Sequence, residues 1–240
     1  MRLSIIVPCY NEELGISNLA DQLNPVVEDL RKRYEVELVF VDDGSTDRTN
    51  ELLHNYFIDK DNVKIVKHKK NMNLGAAMRT GFKNSSGDLI AALDSDCTYS
   101  PQLLKEMLEM MDEDTDIVTV SPYHPKGKVN NVPSYRIFLS KSVSSIYKIL
   151  LGSNLHTYTA MVRIYRKDVV KNINFRSDTF LGITEIMIKS LTKGYRTKEL
   201  PAELNVRKFG ASKMKTLSVI KDHLGLISRI TLHKIFRTEI

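Results

Sequence analysis

Hydrophobic residues in the first half of the chain come in short, mostly apolar runs, separated by longer stretches where they recur every three or four positions. The runs at residues 3–7, 36–41, 63–67, 89–93 and 117–120 are rich in Val, Ile and Leu. Mostly apolar runs of that length predict strands buried on both faces. The stretches between them, residues 16–33, 48–57, 74–82 and 101–111, carry helical periodicity. Strands alternating with helices predict an α/β fold, Rossmann-like, with a mostly parallel sheet and helices on both faces. Ligands of such sheets gather beyond the carboxyl ends of the strands. Further on, "HPKGKVNNVP" at 124–133 reads as a mobile loop. Helical, strand-like and helical patterns follow at 135–151, 160–165 and 184–192, the last stopped by Gly194.

Polar residues concentrate where the apolar runs end. The first run leads into "PCYNEE", the second into "VDDGSTD" and the fourth into "DSD". Helix capping and turn formation account for Ser45 and Asp47. Acidic clusters at three separate strand ends point instead to a ligand at Asp43, Asp94 and Asp96. If the fourth strand continues through them, Asp94 and Asp96 share one face and can hold Mg²⁺ or Mn²⁺ together with a diphosphate. Asp43 is placed to reach a base or ribose edge by hydrogen bonding. Neither a P-loop nor a GxGxxG pattern is present, which argues against the usual nucleotide sites built on those loops.

Composition narrows the classes. With 240 residues, 42% of them hydrophobic and 27% charged, the chain has the make-up of a globular protein with a sizeable core. Cys9 and Cys97 are too few for a disulfide framework and suggest a reducing cytoplasm. The first apolar run is cut short by Pro8, so no signal peptide is expected, and no window approaches the ~18 apolar residues of a membrane span. The net charge of +6 is unevenly divided: residues 1–120 hold 13 Lys and Arg against 22 Asp and Glu, residues 121–240 hold 22 against 7. A basic second half suggests an anionic partner, whether phosphates, nucleic acid or a lipid surface. Nucleic acid is the least expected, because no aromatic RNA-binding platform or helix-turn-helix pattern accompanies an acidic first half.

Four segments together, "IIVPCYNEE", "VFVDDGSTDRT", "NLGAAMRTGFKNSSGDLIAALDSD" and "RKFGASKM", resemble family 2 glycosyltransferases of the GT-A fold. The nearest subgroup is similar to dolichol-phosphate mannose synthases and polyprenyl-phosphate glycosyltransferases. The resemblance runs from residue 3 to about 215 and implies a catalytic domain over 1–215. It implies a nucleotide-sugar donor contacted by Pro8, Tyr10, Glu12, Val41, Asp43, Asp94 and Ser212. It assigns metal and diphosphate to Asp94 and Asp96, and places Arg136, Arg207 and Lys213 on the phosphates. It also puts Glu185 near the acceptor, so that Asp96, Glu185, Arg136, Arg207 and Lys213 form the implied catalytic set. Three positions depart from the family pattern: Thr98 in place of a common Gln, Pro122 in place of an Arg, and Thr157 in place of an acid. These bear on the sugar and nucleotide rather than the fold.

Two acceptors fit these residues. A glycan hydroxyl requires a general base. A lipid phosphate does not, since its second pKa is about 6 and it is largely dianionic at neutral pH. The basic second half and the lack of an evident carboxylate–histidine pair favour polyprenyl phosphate. Residues 216–240 read as a basic amphipathic helix, suited either to a membrane surface or to packing on the domain. The expected place of action is the cytoplasm, peripheral to the membrane face. A non-catalytic sugar-nucleotide-binding protein is the alternative from another class.

Overall fold

A computed structural model describes residues 1–57, 62–210 and 216–236 of the chain. The elements run β1 (Arg2–Cys9), α1 (Ile16–Leu30), β2 (Glu35–Asp42), α2 (Thr49–Phe57), β3 (Val63–Lys67), α3 (Leu74–Asn84), β4 (Leu89–Ala92), α4 (Leu103–Glu109) and β5 (Ile117–Ser121). After them come β6 (Lys128–Val129), α5 (Ser134–Leu151), β7 (Arg163–Arg166), α6 (Lys167–Asn172), α7 (Leu181–Thr192), β8 (Thr197–Pro201), β9 (Glu203–Leu204) and α8 (Thr216–Phe236).

Seven strands form one sheet in the order β3-β2-β1-β4-β7-β5-β8, parallel throughout except for β7, which lies antiparallel between β4 and β5. Its two faces carry separate apolar layers. Leu3, Ile5, Val7 and Phe40 pack on one side beneath α1, α2 and α4. Ile6, Val39, Ile90 and Tyr165 pack on the other beneath α3, α5, α7 and α8. Alternate residues of each strand therefore feed opposite layers, which is why the strands read as mostly apolar runs.

β7 also carries the largest fully buried side chain, Arg163. Its guanidinium donates to the carbonyl oxygens of Ile183 at 2.6 Å and Tyr158 at 2.7 Å. The charge is thus spent tying the chain at 158 and the start of α7 to the sheet. The 124–133 segment differs from the loop expected there. It includes β6, which pairs in parallel with β9 as a separate two-stranded sheet. Two-residue strands with a Lys and a Glu in them leave no periodic trace.

Helix α8 packs on the domain through Leu226 and Ile230, both essentially inaccessible, and meets α5 and α7. His223 on α8 lies 2.8 Å (Nδ1) from the Tyr147 hydroxyl of α5. Burial pushes its pKa from 6.5 down to about 4. The unfolded chain therefore takes up a proton near pH 6.5 that the folded chain refuses until about pH 4. Stability must fall as pH drops through that window. The melting temperature of the wild type is expected to decline more steeply between those pH values than that of His223→Asn, and parallel curves would contradict the assignment.

Candidate active site

The carboxyl ends of β1, β2 and β4 open on one cavity of about 780 Å³. The loops that follow β1 and β2 are laced together. Asn11, with φ of 51°, donates its backbone N–H to the Ser45 hydroxyl oxygen at 3.0 Å, and its Oδ1 accepts the Thr46 N–H at 2.8 Å. Asp42 accepts the Ser45 N–H at 2.8 Å, and Asp47 accepts the N–H and hydroxyl of Thr49 at the head of α2. Ser45 and Asp47 are thus structural, as capping predicts. Just before Ser45, Gly44 has φ of +72°, and a β-carbon there would stand 2.3 Å from the Lys70 carbonyl carbon. Only glycine fits that approach.

Asp94 and Asp96 both line the cavity, but not by strand alternation. β4 ends at Ala92, and the two carboxylates belong to a turn in which Asp96 accepts the Thr98 N–H at 3.0 Å and Cys97 has φ of 53°. The strand stops because the chain must leave the sheet toward α4, so the turn, rather than the pleat, brings the two acids together. Burial, and next the charge of Asp96, push the Asp94 carboxyl well above the usual carboxylate range. Arg207 crosses from the far side of the sequence, its Nε donating to Asp96 at 2.8 Å and its Nη1 to both oxygens of Glu12 at 2.9 and 3.1 Å. Two carboxylates thus meet on one guanidinium, whose charge also reaches Asp94.

That donor set suits a hard divalent cation. The ligands are oxygens, and the cluster carries more negative charge than Arg207 offsets. Among the described residues no group of three or more His, Cys, Asp or Glu is arranged as a complete metal cage. A site built from Asp94 and Asp96 with diphosphate and water oxygens needs none.

Of the residues singled out from sequence, Pro8, Tyr10, Glu12, Asp43, Asp94, Asp96, Arg136 and Arg207 all line this cavity. Arg136 sits in the first turn of α5, its Nε donating to the Tyr135 hydroxyl at 3.2 Å. Ser212 and Lys213 lie outside the described residues. Val41 is completely buried in the apolar layer beneath the site and is not on the cavity wall.

Glu185 lies elsewhere than the resemblance implied. Its side chain is fully buried, accepting the N–H groups of Arg176 at 3.1 Å and Ser177 at 2.9 Å and pairing with Lys189 at 2.9 Å. It is absent from the cavity wall. Those donors, led by Lys189, overcome burial and hold its carboxyl below the usual range. The loop it grips reaches the site indirectly. The Asp178 backbone carbonyl accepts the Gly75 N–H at 2.7 Å, and a β-carbon at Gly75 would meet the Ser177 carbonyl oxygen at 2.1 Å. Asn73 and Leu74, just before that contact, line the cavity.

Sequence reasoning missed several wall residues: Asn71, Asn73, Tyr99, Tyr123, Thr159 and Asn205. Asn73, with φ of 70° immediately before α3, had a legible signal in "NMNLGA". It missed the apolar wall as well. Leu139, Val143 and Ile146 of α5 and Val219, Ile220, Leu224 and Ile227 of α8 line the same cavity. Its wall therefore combines the acidic groups at the strand ends with an aliphatic set from two helices, and Arg136 is among its lining residues.

An open sheet with a carboxylate turn after its fourth strand and one antiparallel strand beside it is the architecture of the GT-A glycosyltransferases. Residues 4–173 match the family model described as Glycosyl transferase family 2, and the chain belongs to that family. It is 30% identical over 223 residues to a dolichol-phosphate mannosyltransferase of Pyrococcus furiosus, covering 92% of this chain and 61% of the relative. It is 28% identical over 220 residues to a polyprenol monophosphomannose synthase of Mycolicibacterium smegmatis, covering 89% of this chain and 81% of the relative. The chain thus spans less than two thirds of the length of the Pyrococcus protein. A solved structure of glucosyl-3-phosphoglycerate synthase from Mycobacterium tuberculosis, in complex with Mn²⁺, UDP and glucosyl-3-phosphoglycerate, shares the fold. It gives a TM-score of 0.70 at 17% identity over 96% of this chain and 78% of that one. Among the described residues no helix is long and apolar enough to cross a membrane.

Proposed function

We propose that this chain is an inverting, metal-dependent glycosyltransferase that moves a sugar from a nucleotide diphosphate sugar to a polyprenyl phosphate. The observation that carries the reading is one cavity lined both by the acids at the strand ends, where a diphosphate and its cation would sit, and by aliphatic residues of α5 and α8. An isoprenoid chain matches the aliphatic residues, and its phosphate would lie toward Arg136. The names of the Pyrococcus and Mycolicibacterium relatives agree with a polyprenyl acceptor.

In this scheme an acceptor phosphate oxygen attacks the anomeric carbon in line. The new carbon–oxygen bond forms as the bond to the diphosphate breaks, and the nucleoside diphosphate leaves with the electron pair. Attack from the opposite face inverts the anomeric centre. Asp94 and Asp96 would hold Mg²⁺ or Mn²⁺, which when bound offsets the negative charge developing on the departing diphosphate. Arg207 would exchange part of its contact with Asp96 and Glu12 for the phosphates, because bidentate anion binding is what a guanidinium does well. The acceptor is already ionised, so no side chain is required to remove a proton.

Attachment to a lipid surface is part of the same proposal. Phe138 and Ile149 of α5 and Leu217, Leu224 and Ile235 of α8 are exposed, and Lys141, Lys221, Arg229 and Lys234 share those helices. Apolar residues interleaved with cations suit an anionic interface. The test is transfer of labelled sugar from UDP- and GDP-sugars, with Mn²⁺, to polyprenyl phosphate in anionic vesicles. Label extracted into the organic phase is the expected result. Label confined to water-soluble glycans would sink the lipid acceptor.

A further inference from the structure

Asp43 is held from behind by a residue that the cavity itself does not contain. Its Oδ1 faces His68 Nδ1 at 2.7 Å and accepts the Met72 N–H at 2.8 Å. The other ring nitrogen of His68, Nε2, lies 2.8 Å from the Thr80 hydroxyl on α3. Because Asp43 Oδ1 is already an acceptor to an amide, Nδ1 of His68 is its second donor. Both side chains are nearly buried, His68 at 9% and Asp43 at 4% exposure. The backbone fixes the pair as well: His68 donates its N–H to the Asp42 carbonyl at 2.9 Å, next to Asp43 at the end of β2. Asp43 lines the cavity and His68 does not.

We propose that His68, braced by Thr80, is a positioning residue that fixes the Asp43 carboxylate as a pure hydrogen-bond acceptor and thereby sets which nucleobase the donor site takes. The inference rests on the nucleotide-sugar reading of the cavity. A carboxylate locked as an acceptor pairs with a base whose Watson–Crick edge offers an imide or lactam N–H. Uracil, thymine and guanine carry such a proton, whereas cytosine N3 and adenine N1 are acceptors and are repelled. Burial already pushes the Asp43 carboxyl up, with the amides and His68 opposing it. Without His68 the buried carboxyl is free to rotate or to take a proton, and a protonated carboxyl donates to cytosine or adenine. Selection among bases is lost, while the metal and diphosphate contacts around Asp94 and Asp96 stay intact.

The test measures dissociation constants of UDP, GDP, CDP and ADP by calorimetry with Mn²⁺, for wild type, His68→Leu, His68→Asn and Thr80→Val, with melting temperatures alongside. Wild type is expected to favour UDP or GDP over CDP and ADP by about tenfold or more, the scale of one hydrogen bond to a charged group. His68→Leu should lose most of that ratio. His68→Asn should keep it, because its amide N–H reaches toward the place of Nδ1, and Thr80→Val should reduce it partially. Folded His68→Leu and Thr80→Val proteins that retain the wild-type ratio would overturn the inference while leaving the nucleotide site standing. Should His68→Leu fail to fold, the ratio in Thr80→Val decides alone. Wild-type protein that binds none of the four overturns the nucleotide reading, and the role of His68 with it.

Discussion

Asp96→Asn is expected to lower kcat for sugar transfer by about 10³-fold, on the order of 4 kcal/mol of transition-state stabilisation. The carboxylate has two tasks that asparagine performs poorly. In the proposed mechanism it would be a hard anionic ligand for the cation, and it anchors Arg207 at 2.8 Å. An amide oxygen coordinates Mg²⁺ or Mn²⁺ weakly and leaves the departing diphosphate with uncompensated charge. The melting temperature should change little, since the turn at 94–98 keeps its Thr98 N–H bond to an amide oxygen. Mn²⁺ binding, read directly by electron paramagnetic resonance, should weaken in parallel with kcat. A variant that binds Mn²⁺ normally and turns over within tenfold of wild type would remove Asp96 from the metal site.

The second large effect is on stability, at Glu185. Glu185→Ala leaves Lys189, only 12% exposed, without its counter-charge and with only the Asn174 carbonyl to donate to, and leaves the Arg176 and Ser177 N–H groups unsatisfied. Breaking a buried ion pair in this one-sided way costs about 3–5 kcal/mol. The loop at 176–178 also abuts Gly75 at the head of α3, so the donor KM should rise in any folded Glu185→Ala protein. Glu185→Gln keeps an acceptor for the two amides and should lose less. Its pH profile of kcat should keep every limb of the wild-type profile, as a positioning role requires and a general-base role forbids. The pH dependence of stability carries a sign too. The folded pKa of Glu185 lies below its ordinary 4.5, so its contribution is present above about that pH and is lost as pH falls through the folded value. Urea unfolding of wild type and Glu185→Gln on both sides of pH 4.5 measures it, and an unchanging difference would refute the assignment.

Much of the fold is legible in the sequence for a simple reason. β1, β2, β4 and β5 bury both faces, so their side chains are mostly apolar, and the helices between them need only one apolar stripe. β8 escapes the same reading because "TKELP" is an edge strand whose only well-buried residue is Leu200. Nothing in "RIYR" marks β7 as antiparallel, since direction within a sheet comes from which neighbours the chain can reach.

The site divides along the same line. Local sequence by itself determined that acids would stand at the ends of β2 and β4, because a strand end followed by a turn is a short-range event. Through a motif resemblance it also pointed to Arg136 and Arg207, both of which line the cavity. Only the tertiary structure decided what those groups do together. Arg207 meets Glu12 across 195 positions and Asp96 across 111, separations at which no local pattern survives. The "DSD" acids converge through a turn that backbone geometry imposes, not through strand periodicity. Glu185 has the residue type of a catalytic acid, yet three donors enclose it away from the cavity. His68 carries no motif, and its contact with Thr80 together with its backbone bond to Asp42 aims it at Asp43. Hydrophobic periodicity is a property of neighbours in sequence, whereas hydrogen-bond partnership belongs to neighbours in space, and the chemistry of this protein rests on the second.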